Sequence, residues 1–155
     1  MEESLMGSGM PENDPGAELL ELVKRVFGAE AQDLRTYSPL TLAYIGDAVY
    51  ELLVRSFLVC GGNAPVNELN RRASSYERAT RQAKVAGAIL EELSEEETTV
   101  YRRGRNAHSA TRAKNAAMGD YRRATGLEAL VGYLYLTGRL SRAAELLRRG
   151  FEQTE

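Results

Sequence analysis

The stretch PLTLAYIGDAVYELLVRSFLV, residues 39–59, decides how the chain reads. Ser38 precedes it as an N-cap and Pro39 supplies a first turn with its φ already helical. Gly61 and Gly62 stop it. Between these signals Leu40, Leu42, Tyr44, Ile45, Val49, Leu52, Leu53, Val54 and Phe57 leave almost no polar face, the pattern of a helix buried on most sides. Asp47 stands in the middle of that run, with Glu51 one turn later on the same face. A carboxylate in apolar surroundings is costly unless it meets a cation, a hydrogen-bond network or a metal.

The segment YRRATGLEALVGYLYL, residues 121–136, repeats the arrangement with Glu128 inside an otherwise apolar run. Each acid has a glycine close by, Gly46 beside Asp47 and Gly132 one turn after Glu128. A glycine inside a helix costs about 1 kcal/mol relative to alanine, a cost accepted where two helices cross closely. Two helices crossing at glycines, each offering an acid, build an oxygen-ligand site for a divalent metal. Pairing of either acid with an arginine across a helix interface is the alternative, and spacing alone leaves both open.

Outward from these helices, residues 1–16 carry no apolar period and read as a disordered N-terminal segment, leaving residues 17–155 as a single domain. AELLELVKRVF, 17–27, is a short amphipathic helix ended by Gly28. The pattern from about Val66 to Leu93 is helical, with a break expected near Ser74-Ser75. Ser94 to Glu97 forms a capping box that opens a helix of about ten residues. Residues 104–119 are poor in apolar side chains and read as a functional loop or a loosened helix end, with the second apolar helix starting at Asp120. Gly138 stops that helix, and Ser141 caps a last amphipathic one. No strand pattern or internal repeat emerges, so the fold class is all-α.

Composition narrows the function. The single Cys60 excludes an intramolecular disulfide and a cysteine-based zinc site, and the single His108 excludes paired-histidine metal motifs. Hydrolytic chemistry would therefore fall to carboxylates. No apolar run is long enough to cross a membrane, the acidic N-terminus is unlike a secretory signal, and a cytoplasmic location follows as the default. The net charge of −2 conceals an asymmetry. Residues 1–33 hold eight acids and two bases, which leaves 18 bases against 14 acids in the remainder. Residues 98–119 contain Arg102, Arg103, Arg105, Arg112 and Lys114 and no acid, a patch suited to phosphates. Arg71, Arg72, Arg78, Arg81 and Lys84 recur at helical spacing as a second candidate row.

LAYIGDAVYELLV resembles the signature helix of the ribonuclease III catalytic domain, and TGLEALVGYLYL resembles the helix that carries that family's other essential acid. The segment RRGRNAHSATRAKN before YRRATGLEAL, with no double-stranded-RNA-binding domain following, is similar to the Mini-ribonuclease III branch. The likeness covers roughly residues 36–150. It implies an all-helical homodimer that cleaves double-stranded RNA with Mg²⁺, leaving a 5′ phosphate and a 3′ hydroxyl. For this branch the implied substrate is the precursor of 23S ribosomal RNA, and dependence on a large-subunit ribosomal protein stays open.

On that resemblance Asp47 and Glu128 are the catalytic and metal-binding acids. Arg103, Arg105, Asn106, Lys114 and Arg72 are the candidate RNA contacts, reaching the backbone and 2′-hydroxyls of an A-form duplex. Full-size family members carry further acids where this chain has Leu40, Ala43 and Thr125, so the site here rests on two carboxylates. A non-catalytic RNA-binding or ribosome-assembly module with the same fold is the rival reading. Glu51 is expected to pair with an arginine, and Tyr44, Tyr50, Tyr133 and Tyr135 to be core or interface aromatics.

Overall fold

The computed structural model describes residues 14–107 and 117–155, and among them every regular element is a helix. Seven α-helices follow in order: α1 (Pro15–Phe27), α2 (Pro39–Cys60), α3 (Val66–Glu77), α4 (Ala79–Ile89), α5 (Glu95–Asn106), α6 (Ala117–Leu136) and α7 (Leu140–Gln153). Two 3₁₀ turns, Leu34–Thr36 and Leu90–Glu92, join neighbours.

The start signals hold where they are local. Ser38 Oγ accepts from the Thr41 amide at 3.1 Å with Pro39 in the first turn. Ser94 and Glu97 close the capping box in both directions, at 3.1 and 2.9 Å. Gly28 ends α1 at φ 71°, and Gly138 follows α6 at φ 75°, both left-handed positions that favour glycine.

The central helix is α6 rather than α2. Helices α1, α2, α4, α5 and α7 all pack on α6, whose Leu127, Ala129, Leu130, Val131 and Leu134 are fully enclosed. Helix α2 buries Leu42, Ala43, Gly46, Val49, Tyr50 and Val54 against the bundle. Its opposite face leaves Leu40, Tyr44, Leu52, Phe57 and Val59 exposed, Tyr44 to 82%. The expectation that α2 is buried on most sides is thus met on one face only, because its neighbours α6, α3 and α5 do not surround an all-round apolar helix.

Other boundaries moved for tertiary reasons. Helix α1 begins at Pro15 rather than Ala17, because Asp14 caps it; residues 14–16, expected in a disordered segment, belong to the fold. Residues 1–13 lie outside the described ones. Asp14 is 2% exposed and accepts four backbone amides: Gly16 at 3.0 Å and Ala17 at 3.3 Å from α1, Leu140 at 3.1 Å and Ser141 at 2.9 Å from α7. That carboxylate, not the Ser141 hydroxyl, caps α7, which begins at Leu140.

The break expected at Ser74-Ser75 falls at Arg78, where ψ is 149°. The Ser75 hydroxyl turns back onto the Arg72 carbonyl at 2.7 Å, so α3 continues through it. Gly104 does not open a loop. It lies inside α5, where a Cβ would stand 2.7 Å from the Ala129 Cβ and 3.0 Å from the Gly126 Cα, so it sets a second close helix crossing. Helix α6 starts at Ala117, three residues before the expected Asp120.

Candidate active site

The crossing of α2 and α6 is made by glycine. A Cβ on Gly46 would overlap the Glu128 carbonyl oxygen, and one on Gly132 would overlap the Leu42 carbonyl oxygen. With no side chain at either point, the two backbones touch, and the acids beside them are brought together. Asp47 is exposed at the surface of the crossing, and Glu128 lies half-buried behind it.

Their electrostatics follow from that depth. Burial, then the Asp47 charge and a hydrogen bond to Asp47, push the Glu128 carboxyl up to about 8. The opposing influence is the Gln82 side chain of α4, which favours the charged form of Glu128. Gln82 is 3% exposed, and on α2 the buried Tyr50 hydroxyl donates to the Tyr76 carbonyl at 2.5 Å.

A second acid flanks the pair. Glu77, at the end of α3, is raised above the usual carboxylate range by burial first, then by Glu51, with Arg55 opposing and Asp47 adding a smaller push. Its Oε2 is buried with no hydrogen-bond partner. Glu51 pairs with Arg55 at 3.7 Å, as expected of it.

The residues present suit a hard divalent cation: oxygen donors only, a half-buried carboxyl raised by a neighbouring acid, and a buried carboxylate oxygen without a partner. Among the described residues no three His, Cys, Asp or Glu side chains form a ready metal cluster. The positions where full-size family members carry acids do not supply one. Leu40 is apolar, Ala43 is buried, and the Thr125 hydroxyl donates to the Tyr121 carbonyl of its own helix at 3.0 Å.

The basic residues divide. Arg103, Arg105 and Asn106 occupy the last turn of α5, whose Gly104 abuts Thr125 and Gly126, so this basic helix end lies beside α6 within one turn of Glu128. Arg103 and Asn106 are exposed, and Arg105 donates to the Asn106 side chain at 3.2 Å. Lys114 and His108 lie outside the described residues. Arg72 is on α3, bonded to Glu68 of the same helix, and the structure does not group it with the α5 arginines. Arg81, expected in a phosphate-facing row, is instead a structural clamp. Its guanidinium stacks on Tyr76 at 4.8 Å and donates to Thr154 Oγ1 at 3.0 Å and to the Ser75 carbonyl at 3.2 Å.

Sequence reading missed Gln82 and Glu77. Gln82 shares its helix face with Val85, Ala86 and Ile89, and a lone polar residue on such a stripe was the available signal. Glu77 gave none, because its burial depends on how α3 meets α2.

The all-helical fold is that of an endoribonuclease class, and the chain belongs to it, the ribonuclease III family: the Ribonuclease III domain matches residues 40–139. Enzymes of this family depend on a divalent metal and act on double-stranded RNA. A Mini-ribonuclease 3 from Brevibacillus brevis is 44% identical over 124 residues, spanning 80% of this chain and 92% of its own. Another, from Enterococcus faecalis, is 48% identical over 118 residues, 75% of this chain and 89% of its own. The crystal structure of a Fusobacterium nucleatum protein superposes with a TM-score of 0.69 at 28% identity, covering 79% of this chain and 98% of that one. No helix among the described residues is long and apolar enough to cross a membrane.

Proposed function

We propose that this protein is a Mg²⁺-dependent, double-strand-specific endoribonuclease that matures the 23S ribosomal RNA precursor, working in the cytoplasm as a homodimer with Asp47 and Glu128 as its catalytic pair. The observation that carries the reading is the glycine crossing of α2 and α6, which presents two facing carboxylates at the bundle surface. Similarity to proteins named Mini-ribonuclease 3 supports the substrate.

Asp47 and Glu128 would hold the metal, with waters and RNA phosphate oxygens completing its shell, since Mg²⁺ dehydrates reluctantly. A divalent ion bound there supplies Lewis acidity toward a phosphodiester and lowers the pKa of a bound water. Asp47 presents its carboxylate at the surface where a phosphate arrives. Glu128 gives up its proton on engagement and holds its charge from behind. Arg103 and Arg105 bind the flanking backbone, Lys114 offsets charge developing on phosphate, and Arg72 adds a further contact. The exposed α2 face bearing Leu40, Tyr44, Leu52 and Phe57 supports dimerisation, and the body from Asp14 onward acts as one catalytic domain.

The test is incubation of duplex RNA with the protein, with and without Mg²⁺. Discrete products with 5′ phosphates, formed only with metal, are expected, with a 23S precursor stem cut in preference to a random duplex. The absence of a ready three-ligand cluster favours the second reading, a binding module that has lost turnover. Tight duplex binding by the parent with no cleavage at any metal concentration would establish it.

A further inference from the structure

Helix α1 carries more apolar surface than the bundle covers. It is seated on α6 and α7. Gly16 lies so close to them that a Cβ there would stand 2.7 Å from the Leu140 Cβ, and Leu20 packs against the core. Asp14 ties the start of the helix to the start of α7, which fixes its orientation. Leu19, Leu22 and Val26 nonetheless lie exposed along one flank, Val26 to 58%, and Phe27 stands clear at the end, 79% exposed. Their spacing of three and four residues is that of the seam between two paired helices. The hollow along this flank is lined by α1 residues alone, Glu18, Leu19, Leu22 and Arg25 among them, so no other described element covers it.

The charges beside the stripe decide what fits on it. Glu18 and Arg25 are seven residues apart, two turns of helix, and so border the stripe on the same edge. Both are exposed, and among the described residues neither has an ion-pair partner, whereas Lys24 is engaged with Glu21 of its own helix at 4.0 Å. When a second copy of α1 lies antiparallel on the first, about a two-fold axis beside Leu22, the same edge of both helices meets. Glu18 then faces Arg25 of the second copy, and symmetry makes that contact twice. Leu22 meets its own counterpart at the axis, with Leu19 against Val26 on either side. A parallel pair would set Glu18 beside Val23 instead.

We propose that α1 is a self-association element: its Leu19, Leu22 and Val26 stripe pairs antiparallel with the same stripe of a second copy, registered by Glu18 against Arg25. This contact is on a different helix from the α2 face proposed for the dimer. It either shares that dimer's axis and enlarges one interface, or brings a second axis and joins dimers. The 13 residues of α1 span only about 20 Å. Two such helices bury less than the roughly 1,200 Å² of a stable interface, so the pairing is weak by itself.

The experiment is sedimentation velocity on the full chain, at low salt and over a wide concentration range. It compares the parent with Glu18→Arg, Arg25→Glu and Leu22→Gln, each also melted. Either charge reversal makes both cross-contacts like-charged and is expected to weaken association about tenfold, with the parental melting temperature nearly kept because the positions are exposed. An equimolar mixture of Glu18→Arg and Arg25→Glu is expected to regain the parental association, since each arginine of one copy then meets a glutamate of the other. Both charges also suit the dipole of their own helix, but neither the dipole nor a contact within one chain produces rescue by mixing. Single reversals that associate like the parent overturn the proposal. So does a mixture no stronger than either variant alone, which means that something other than a second α1 covers the stripe. Should a reversal fail to fold, Leu22→Gln carries the test, and parental association by that folded variant overturns the proposal equally.

Discussion

Gly46 lies against the backbone of Glu128 so closely that an added Cβ would stand 2.7 Å from the Glu128 carbonyl carbon and 2.8 Å from the Gly132 nitrogen. The neighbours are backbone on both sides, which cannot swing aside as a side chain end would. The spacing of the two acids is therefore set by main chain, and the same crossing that stabilises the bundle builds the site.

Gly46→Ala is expected to destabilise the fold by more than about 3 kcal/mol, at or beyond the upper range for overpacking. Gly87→Ala is the control. That helix glycine has open space around its Cβ position, and the substitution is expected to be neutral or to add up to about 1 kcal/mol. Urea unfolding of both variants reads the difference; equal midpoints would mean the crossing yields elastically.

Glu128 gives the metal-free protein a defined pH dependence. Its carboxyl is raised to about 8 in the folded state from an ordinary value of 4.5. Between those limits the folded state binds more protons than the unfolded one, so stability falls as pH rises through the window. The melting temperature in a chelating buffer is expected to drop by several degrees from pH 5 to pH 8. Glu128→Gln should flatten that slope. A melting temperature that rises over the same range, with the slope unchanged in Glu128→Gln, would contradict the burial of this acid.

Asp47→Asn and Glu128→Gln keep shape and remove the charge a hard cation needs. Each is expected to lower single-turnover cleavage by at least about a hundredfold while leaving duplex affinity close to parental, since that affinity comes mainly from basic residues on phosphates. A folded Asp47→Asn protein cutting at the parental rate would end the assignment.

Replacing Arg103, Arg105 and Lys114 together with alanine is expected to weaken duplex RNA binding and to flatten its salt dependence by about two to three in the log–log slope. Circular dichroism should scarcely change, as Arg103 is exposed and Arg105 partly so. Binding that matches the parent at every salt concentration would place the RNA elsewhere.

Asp14→Ala strips four amides of their acceptor at the start of two helices and is expected to cost roughly 2–4 kcal/mol. Burial alone would raise the Asp14 carboxyl, but hydrogen bonds from Ser141, Leu140 and Ala17 outweigh it and hold it below its ordinary 3.8. A lowered acid stabilises the fold above its unfolded value, and that contribution is lost as pH falls below about 4. Acid unfolding followed in the parent and in Asp14→Asn checks this: the parent should lose stability more steeply below that pH.

What the sequence made legible was local or periodic. Ser38-Pro39, the Ser94–Glu97 box and Gly28 act within a few residues of themselves, and each ended or began the helix it marked. Gly46 and Gly132 stood out because a glycine inside an apolar helix demands a reason, and the crossing supplies it. What stayed hidden was set by partners far along the chain. Ser141 has the right chemistry for a cap, yet Asp14, distant in sequence, occupies that place. Gly104 resembled a loop residue until the Gly126 backbone opposite it came into view. Arg81 looked like one of a row of surface cations and proved to be held by Tyr76 and Thr154. Gln82 and Glu77 needed the approach of α3 and α4 to α2 and α6 before either had a role.

The Asp14 carboxylate also says something about how the chain is made. Its partners Leu140 and Ser141 lie 126 and 127 positions further on, so the clasp joins the start of α1 to the start of α7. Until Leu140 and Ser141 have been synthesised, α1 can pack on α6 but its Asp14 carboxylate lacks two of its four donors. The clasp is therefore among the final events of folding, a loop closed across almost the whole domain at the entropic cost such closures carry. A nascent chain halted before α7 would leave Asp14 with only the Gly16 and Ala17 amides of its own helix. Synthesis of the start of α7 is thus what locks α1 in place.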